Sequence, residues 1–115
     1  MIVLYGIPNC DTVRKARKWL AARGVDYRFH DIRKDGLDPT ALRRWAKAAG
    51  WETLLNRRGQ TWRKLNPAVR EAMDEAGALE WMQKEPTLIK RPVVTWPDET
   101  VTVGFQPDDW EARLP

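Results

Sequence analysis

The sequence predicts one α/β domain spanning residues 1–115, with a mixed four-stranded sheet in the order β-α-β, a helical insertion, then β-β-α. Three observations carry this. An apolar run, a helical pattern and a second strand-like run follow one another in the first thirty or so residues. Helix-start signals recur through the middle. Two β-branched runs separated by a turn lie near the end.

Residues 2–5 form a short apolar run with β-branched and aromatic members, bounded by Gly6 and Pro8. It reads as a buried strand. From Asp11 the period changes. Val13, Ala16 and Leu20 share one face, with Arg14, Lys15, Arg17 and Lys18 largely off it, and Gly24 is a stop signal. Residues 25–32 read as a second strand, with Tyr27, Phe29 and Asp31 on one side. A crossover of this length favours a parallel βαβ unit.

Asp38-Pro39 supplies an N-cap and a first-turn proline, and Leu42, Trp45, Ala46 and Ala49 follow as a stripe closed by Gly50. Asn66-Pro67 repeats the signal, with Val69, Ala72, Met73 and Ala76 as its stripe. Residues 79–84 read as a short further helix ended by Pro86, and the polar stretch 54–65 as mostly loop. Residues 93–96 and 101–105 are strand-like. Pro97, Asp98 and Glu99 between them suggest an antiparallel hairpin, and 108–114 a short closing helix. Periodicity supports an α/β sheet domain but does not alone select this topology.

Composition narrows the function. The net charge of +4 comes from 20 basic and 16 acidic residues that are interleaved, not gathered into a dense stripe, so direct nucleic-acid binding is not expected. One cysteine excludes an internal disulfide, and one cysteine with one histidine makes no metal site without several carboxylates. The opening apolar run is broken by Pro8, Asn9 and Asp11, which fits neither a signal peptide nor a membrane span. The reducing cytoplasm is therefore the expected compartment.

Cys10 falls between the first strand and the first helix, flanked by Asn9 and Asp11. Free N–H groups and the positive end of the helix dipole favour a thiolate there, and Arg14 and Lys15 add positive charge. Where a dithiol enzyme has its second cysteine, in Cys10-Asp11-Thr12-Val13, this chain has Val13. A mixed disulfide at Cys10 must therefore be released by an external thiol. Lys90-Arg91-Pro92-Val93 places an arginine and a strand-entry proline together. His30, the single histidine, reads as structural or surface-exposed, and the seven tryptophans as core and rim packing.

The residues Tyr5-Gly6-Ile7-Pro8-Asn9-Cys10-Asp11-Thr12, with Lys15-Ala16, resemble the opening of the ArsC/Spx family, most closely its YffB-like branch. Tyr27-Arg28-Phe29-His30-Asp31, Leu54-Leu55-Asn56-Arg57-Arg58-Gly59, Thr61-Trp62-Arg63-Lys64-Leu65, Ile89-Lys90-Arg91-Pro92 and Val103-Gly104-Phe105 extend the resemblance to about Trp110. It implies a thioredoxin-like fold with a helical insertion. It implies Cys10 as nucleophile, Arg91 as its anion-stabilising partner and Pro92 as a cis proline. It also implies a monothiol reductase with glutathione as co-substrate and no bound cofactor. Asn9, Lys15, Arg57, Arg58 and Pro92 are then the candidate substrate- or glutathione-binding residues.

The chain departs from the arsenate reductases it resembles. Those place three arginines around the cysteine. Arg91 matches one, but Asn56 stands just after Leu54-Leu55, with Arg57 and Arg58 next to it, and Gly104-Phe105-Gln106 stands near the last strand. Spx-type regulators often carry a CxxC pair, which Val13 removes here. The alternatives to a monothiol reductase are arsenate reduction with Arg57 or Arg58 standing in, and a Spx-like regulator that binds RNA polymerase without catalysis. The expected partners are glutathione, a small oxyanion or disulfide, and a protein such as glutaredoxin or RNA polymerase. No membrane association is expected.

Overall fold

The computed structural model describes residues 1–114, and the chain divides into two compact units, Met1–Asp31 with the segment from Arg91 onward, and Ile32–Lys90. The first holds the sheet. Its elements are β1 (Ile2–Gly6), α1 (Asp11–Ala22), β2 (Tyr27–Asp31), β3 (Val93–Thr95), β4 (Val101–Val103) and α7 (Pro107–Arg113). The strand order is β2-β1-β3-β4, with β1 and β2 parallel and the β1/β3 and β3/β4 pairs antiparallel. This is the mixed sheet that the element order predicts.

Alternation along β1 decides its faces. Ile2 and Leu4 are buried and face Val13, Ala16 and Leu20 of α1, together with Val94, Trp96 and Trp110. The three α1 residues are those of the predicted stripe. Trp110 is fully buried and meets Trp96, Trp19 and Phe105 edge-on, with ring centroids 5.5, 5.9 and 4.9 Å away. Each such pair adds roughly 0.5–1.5 kcal/mol beyond area burial. The β3–β4 turn is held by Asp98, whose carboxylate accepts from the Thr100 N–H and hydroxyl at 3.1 and 2.6 Å. Glu99 takes φ +71 there.

The second unit is helical: α2 (Pro39–Ala49), α3 (Trp51–Leu54), α4 (Gln60–Lys64), α5 (Pro67–Glu71), α6 (Glu75–Lys84) and a 3₁₀ turn (Pro86–Leu88). Asp38 caps α2 by accepting from the Thr40 N–H at 2.9 Å, and Pro39 follows as the sequence predicts. α2 packs on α3 and α6, whose buried residues include Leu42, Trp45, Ala46, Leu54, Ala78 and Met82. Thr61 and Thr87 share a 2.7 Å hydrogen bond between hydroxyls.

The structure corrects the sequence reading in several places: β2 covers only Tyr27–Asp31 of the expected 25–32, and the short helix α3 follows the Gly50 stop. The stretch 54–65, expected to be mostly loop, contains the one-turn helix α4. Its residues lack a helical apolar stripe and none is buried, so periodicity could not reveal it. The helix expected to run past Ala72 ends at Glu71, and the next begins at Glu75 instead of Leu79. Asp74 explains this: its carboxylate accepts from the Gly77 N–H at 2.8 Å and caps α6. The last strand ends at Val103 instead of Phe105, because Gly104 takes φ +87 and leaves extended geometry.

Candidate functional site

The turn after β1 positions Cys10. The Cys10 N–H donates to the Ile7 carbonyl at 3.2 Å, closing a turn over Pro8 and Asn9. The Cys10 carbonyl then accepts from the Arg14 N–H at 2.9 Å and starts α1. Cys10 is therefore the N-cap residue, with the extended backbone usual there, φ −95 and ψ 126. No side chain caps the helix. The α1 terminus consequently presents N–H groups and its positive dipole end beside the thiol, which favours a bound anion. Cys10 is half-buried and packs on the core cluster, while Asn9 and Lys15 are exposed.

Register brings the other candidates to the same end of the sheet. Tyr5 lies opposite Val93, so Pro92 and Arg91 reach the end of β1 from which the Cys10 turn departs. Val93 lies opposite Val103, so Gly104 and Phe105 arrive there too. The Gly104 N–H donates to the Pro92 carbonyl at 2.8 Å and fastens the two strand ends together. Pro92 is buried, Arg91 is half-buried, and the bond between them is cis. β2 ends alongside, with Gly6 opposite Asp31. His30 lies opposite Tyr5 and stacks on it at a tilt, ring centroids 5.0 Å apart.

Charge near the thiol is less one-sided than the sequence implies. Arg14 pairs with Asp11 one turn away. A hydrogen bond from Arg14, followed by its charge and a smaller contribution from Lys15, holds the Asp11 carboxyl below the usual carboxylate range. Part of the Arg14 charge is thus met within the helix itself.

Arg57 and Arg58 belong to the helical unit. Arg57 lies 4.0 Å from Glu52, with its guanidinium 5.9 and 5.6 Å from the rings of Trp51 and Trp62. Asn56 shapes this loop. Its side-chain carbonyl accepts from the Arg58 N–H at 3.1 Å, and its backbone N–H donates to the Leu88 carbonyl at 2.7 Å. Asn56, Arg57, Arg58 and Lys90 line an open hollow of about 410 Å³ with Glu52, Thr53 and Leu55.

The ArsC family profile matches residues 5–113. The chain belongs to the ArsC family. It is 48% identical to the YFFB protein, whose solved structure superposes with a TM-score of 0.94 over the whole of both chains. An arsenate reductase (ArsC) related protein from Brucella melitensis is 49% identical, with a TM-score of 0.79 over 96% of this chain and 92% of that one. The global transcriptional regulator Spx of Streptococcus pyogenes serotype M6 is 29% identical, over 99% of this chain and 85% of its own length. The arsenate-reductase-like, thioredoxin-like α/β fold expected from the resemblance is the fold observed.

Set among ArsC-family chains, two departures acquire structural reasons. Asn56, at an expected arginine position, holds the loop that carries Arg57 and Arg58. Gly104, near the other, adopts a backbone that a side chain would strain. Sequence reasoning assigned neither a role. Gly6, in the sequence only the bound of the first strand, is also a packing position, where an added Cβ would lie 2.7 Å from Val13 Cγ2. The only prior signal was an Asn-x-x-Gly spacing for the loop and a glycine at each strand end. Among the described residues no helix is long and apolar enough to cross a membrane, and no group of three or more His, Cys, Asp or Glu could hold a metal ion.

Proposed function

We propose that this ArsC-family chain is a glutathione-dependent monothiol reductase with Cys10 as nucleophile. One observation carries the reading: Cys10, at the uncapped terminus of α1, shares a sheet end with Arg91 and Pro92. A thiolate attacks disulfide sulfur, and a guanidinium with free helix N–H groups suits the carboxylates of a glutathionyl substrate. The Cys10 thiolate attacks the glutathionyl sulfur of a mixed disulfide. The substrate thiolate leaves, and Cys10 becomes glutathionylated. The thiolate of a second glutathione then attacks that adduct, regenerating Cys10 and releasing glutathione disulfide. Val13 is fully buried where a resolving thiol would stand, so the second step falls to the external thiol. Asn9 and Lys15, which flank Cys10 in the same unit, are proposed to help hold substrate or glutathione.

The test is turnover of a glutathionylated peptide with glutathione, read as glutathione disulfide formed, with the adduct weighed by mass spectrometry. Parent protein is expected to form a single adduct at Cys10 and to turn over; Cys10→Ser is expected to do neither. Turnover retained by Cys10→Ser sinks the proposal. Arsenate offered in place of the peptide tests the arsenate-reductase alternative. The Spx relative favours a second reading, a regulator that binds RNA polymerase without turnover. Retention of polymerase subunits by the immobilised protein, with no turnover, would select it.

A further inference from the structure

Charge is divided unevenly between the two units. Ile32–Lys90 carries twelve of the twenty Lys and Arg residues and eight of the sixteen acidic ones, so the whole excess of +4 resides there and the sheet unit is neutral. Within the helical unit the excess is concentrated again. Segment 56–70 holds Arg57, Arg58, Arg63, Lys64 and Arg70 and no acidic residue. Arg70 is half-buried and the other four are exposed. Among the described residues only Arg57 of these five has an ion-pair partner, Glu52.

Aromatic and apolar surface is interleaved with this charge. Trp62 is half-buried and, with Pro67, Arg70 and Glu71, lines a shallow open hollow of about 220 Å³. Its ring also lies 5.6 Å from the Arg57 guanidinium, and the Trp51 ring lies 5.9 Å from the same group. Arg and Trp are the residue types that most often anchor protein interfaces.

We propose that segment 56–70 is a docking surface for an acidic peptide segment of a partner protein, one with an apolar residue set among its carboxylates. The carboxylates would pair with Arg58, Arg63, Lys64 and Arg70, and the apolar side chain would enter the hollow beside Trp62. Two carboxylates favour a peptide over nucleic acid: Glu71 lines the hollow and Glu52 flanks Arg57. A nucleic acid carries a phosphate at every residue and must bring charge to both, whereas a peptide can place neutral backbone amides or its apolar residue against them. The proposal does not depend on the chemistry of Cys10.

The test is fluorescence anisotropy of a fluorescein-labelled peptide rich in Asp and Glu around a single Phe, titrated with the full chain at low and high salt. Binding that weakens with salt is expected. Joint Arg63→Glu and Lys64→Glu substitution in α4 is expected to weaken it about tenfold, since attraction becomes repulsion at two contacts. Trp62→Ala is expected to weaken it, and so is replacing the peptide's Phe by Ser. Arg43→Glu with Arg44→Glu on α2 is expected to change it by less than about twofold. Absence of binding at low salt overturns the proposal. So does equal weakening by the α2 pair, which would mean attraction to net charge alone. So does tighter binding of an oligothymidylate than of the peptide.

Discussion

Gly6 and Val13 meet so closely that a Cβ on Gly6 would stand 2.7 Å from Val13 Cγ2. Val13 is fully buried and cannot swing aside into solvent. This contact brings the end of β1 against the first turn of α1, and the four-residue turn ending at Cys10 is what spans them. Gly6→Ala is expected to destabilise the protein by about 1–3 kcal/mol, the usual range for overpacking. Denaturant unfolding checks this. Val13→Ala placed on the Gly6→Ala background should cost less than Val13→Ala alone, the non-additivity that marks a direct contact.

Cys10→Ser separates chemistry from fold. Cys10 is at the N-cap of α1 with no side-chain cap, and serine is a strong capping residue. Its hydroxyl can accept from a first-turn N–H, a gain on the order of 0.5–1 kcal/mol. The variant is expected to lose adduct formation entirely while its melting temperature stays at or above that of the parent. A lower melting temperature would mean that the thiol's packing on the core outweighs capping.

Asn56 acts through one acceptor, the side-chain carbonyl that takes the Arg58 N–H. Asn56→Ala removes it and should cost about 1 kcal/mol. Asn56→Asp keeps it and should cost less. Denaturant midpoints measure both. Equal losses would show that the carbonyl is not what holds the loop.

The β3–β4 turn carries a pH dependence whose sign is fixed. The Thr100 hydroxyl, then its backbone N–H, hold the Asp98 carboxyl below the ordinary carboxylate range. A carboxyl lowered in the folded state stabilises the fold above its ordinary value, and that contribution is lost as pH falls through the folded value. Asp98→Ala should therefore melt below the parent near neutral pH. The gap should close as pH falls below the ordinary carboxylate range and through the lower folded value. A gap that is constant with pH would show that the ionised carboxylate contributes nothing to the turn.

Much of this was legible in the chain itself. Val13, Ala16 and Leu20 marked the buried face of α1, and Asp38-Pro39 marked the start of α2, because helical period and capping chemistry are local. Cys10 was identifiable for the same reason: a strand signal before it and a helix signal after it fix its place at a helix start. Arg91 stands out in the sequence as the residue before a strand-entry proline, and the resemblance makes it the thiol's partner. The charge division between the units was also present in the sequence, but it acquires meaning only once the unit boundaries at Asp31 and Arg91 are known.

Other features belonged to the tertiary structure. The extent of α4 and the break at Asp74 depend on which side-chain oxygen captures which backbone N–H, and nearby alternatives differ by only about 1 kcal/mol. The convergence of Cys10, Arg91 and Gly104 depends on strand register, which pairs residues some ninety positions apart. By itself the sequence determined an α/β pattern with one thiol at a helix start. The sheet order and register decided what stands beside that thiol, because cross-strand pairing is a long-range choice made by burial of alternating faces, and no local run of residues encodes it.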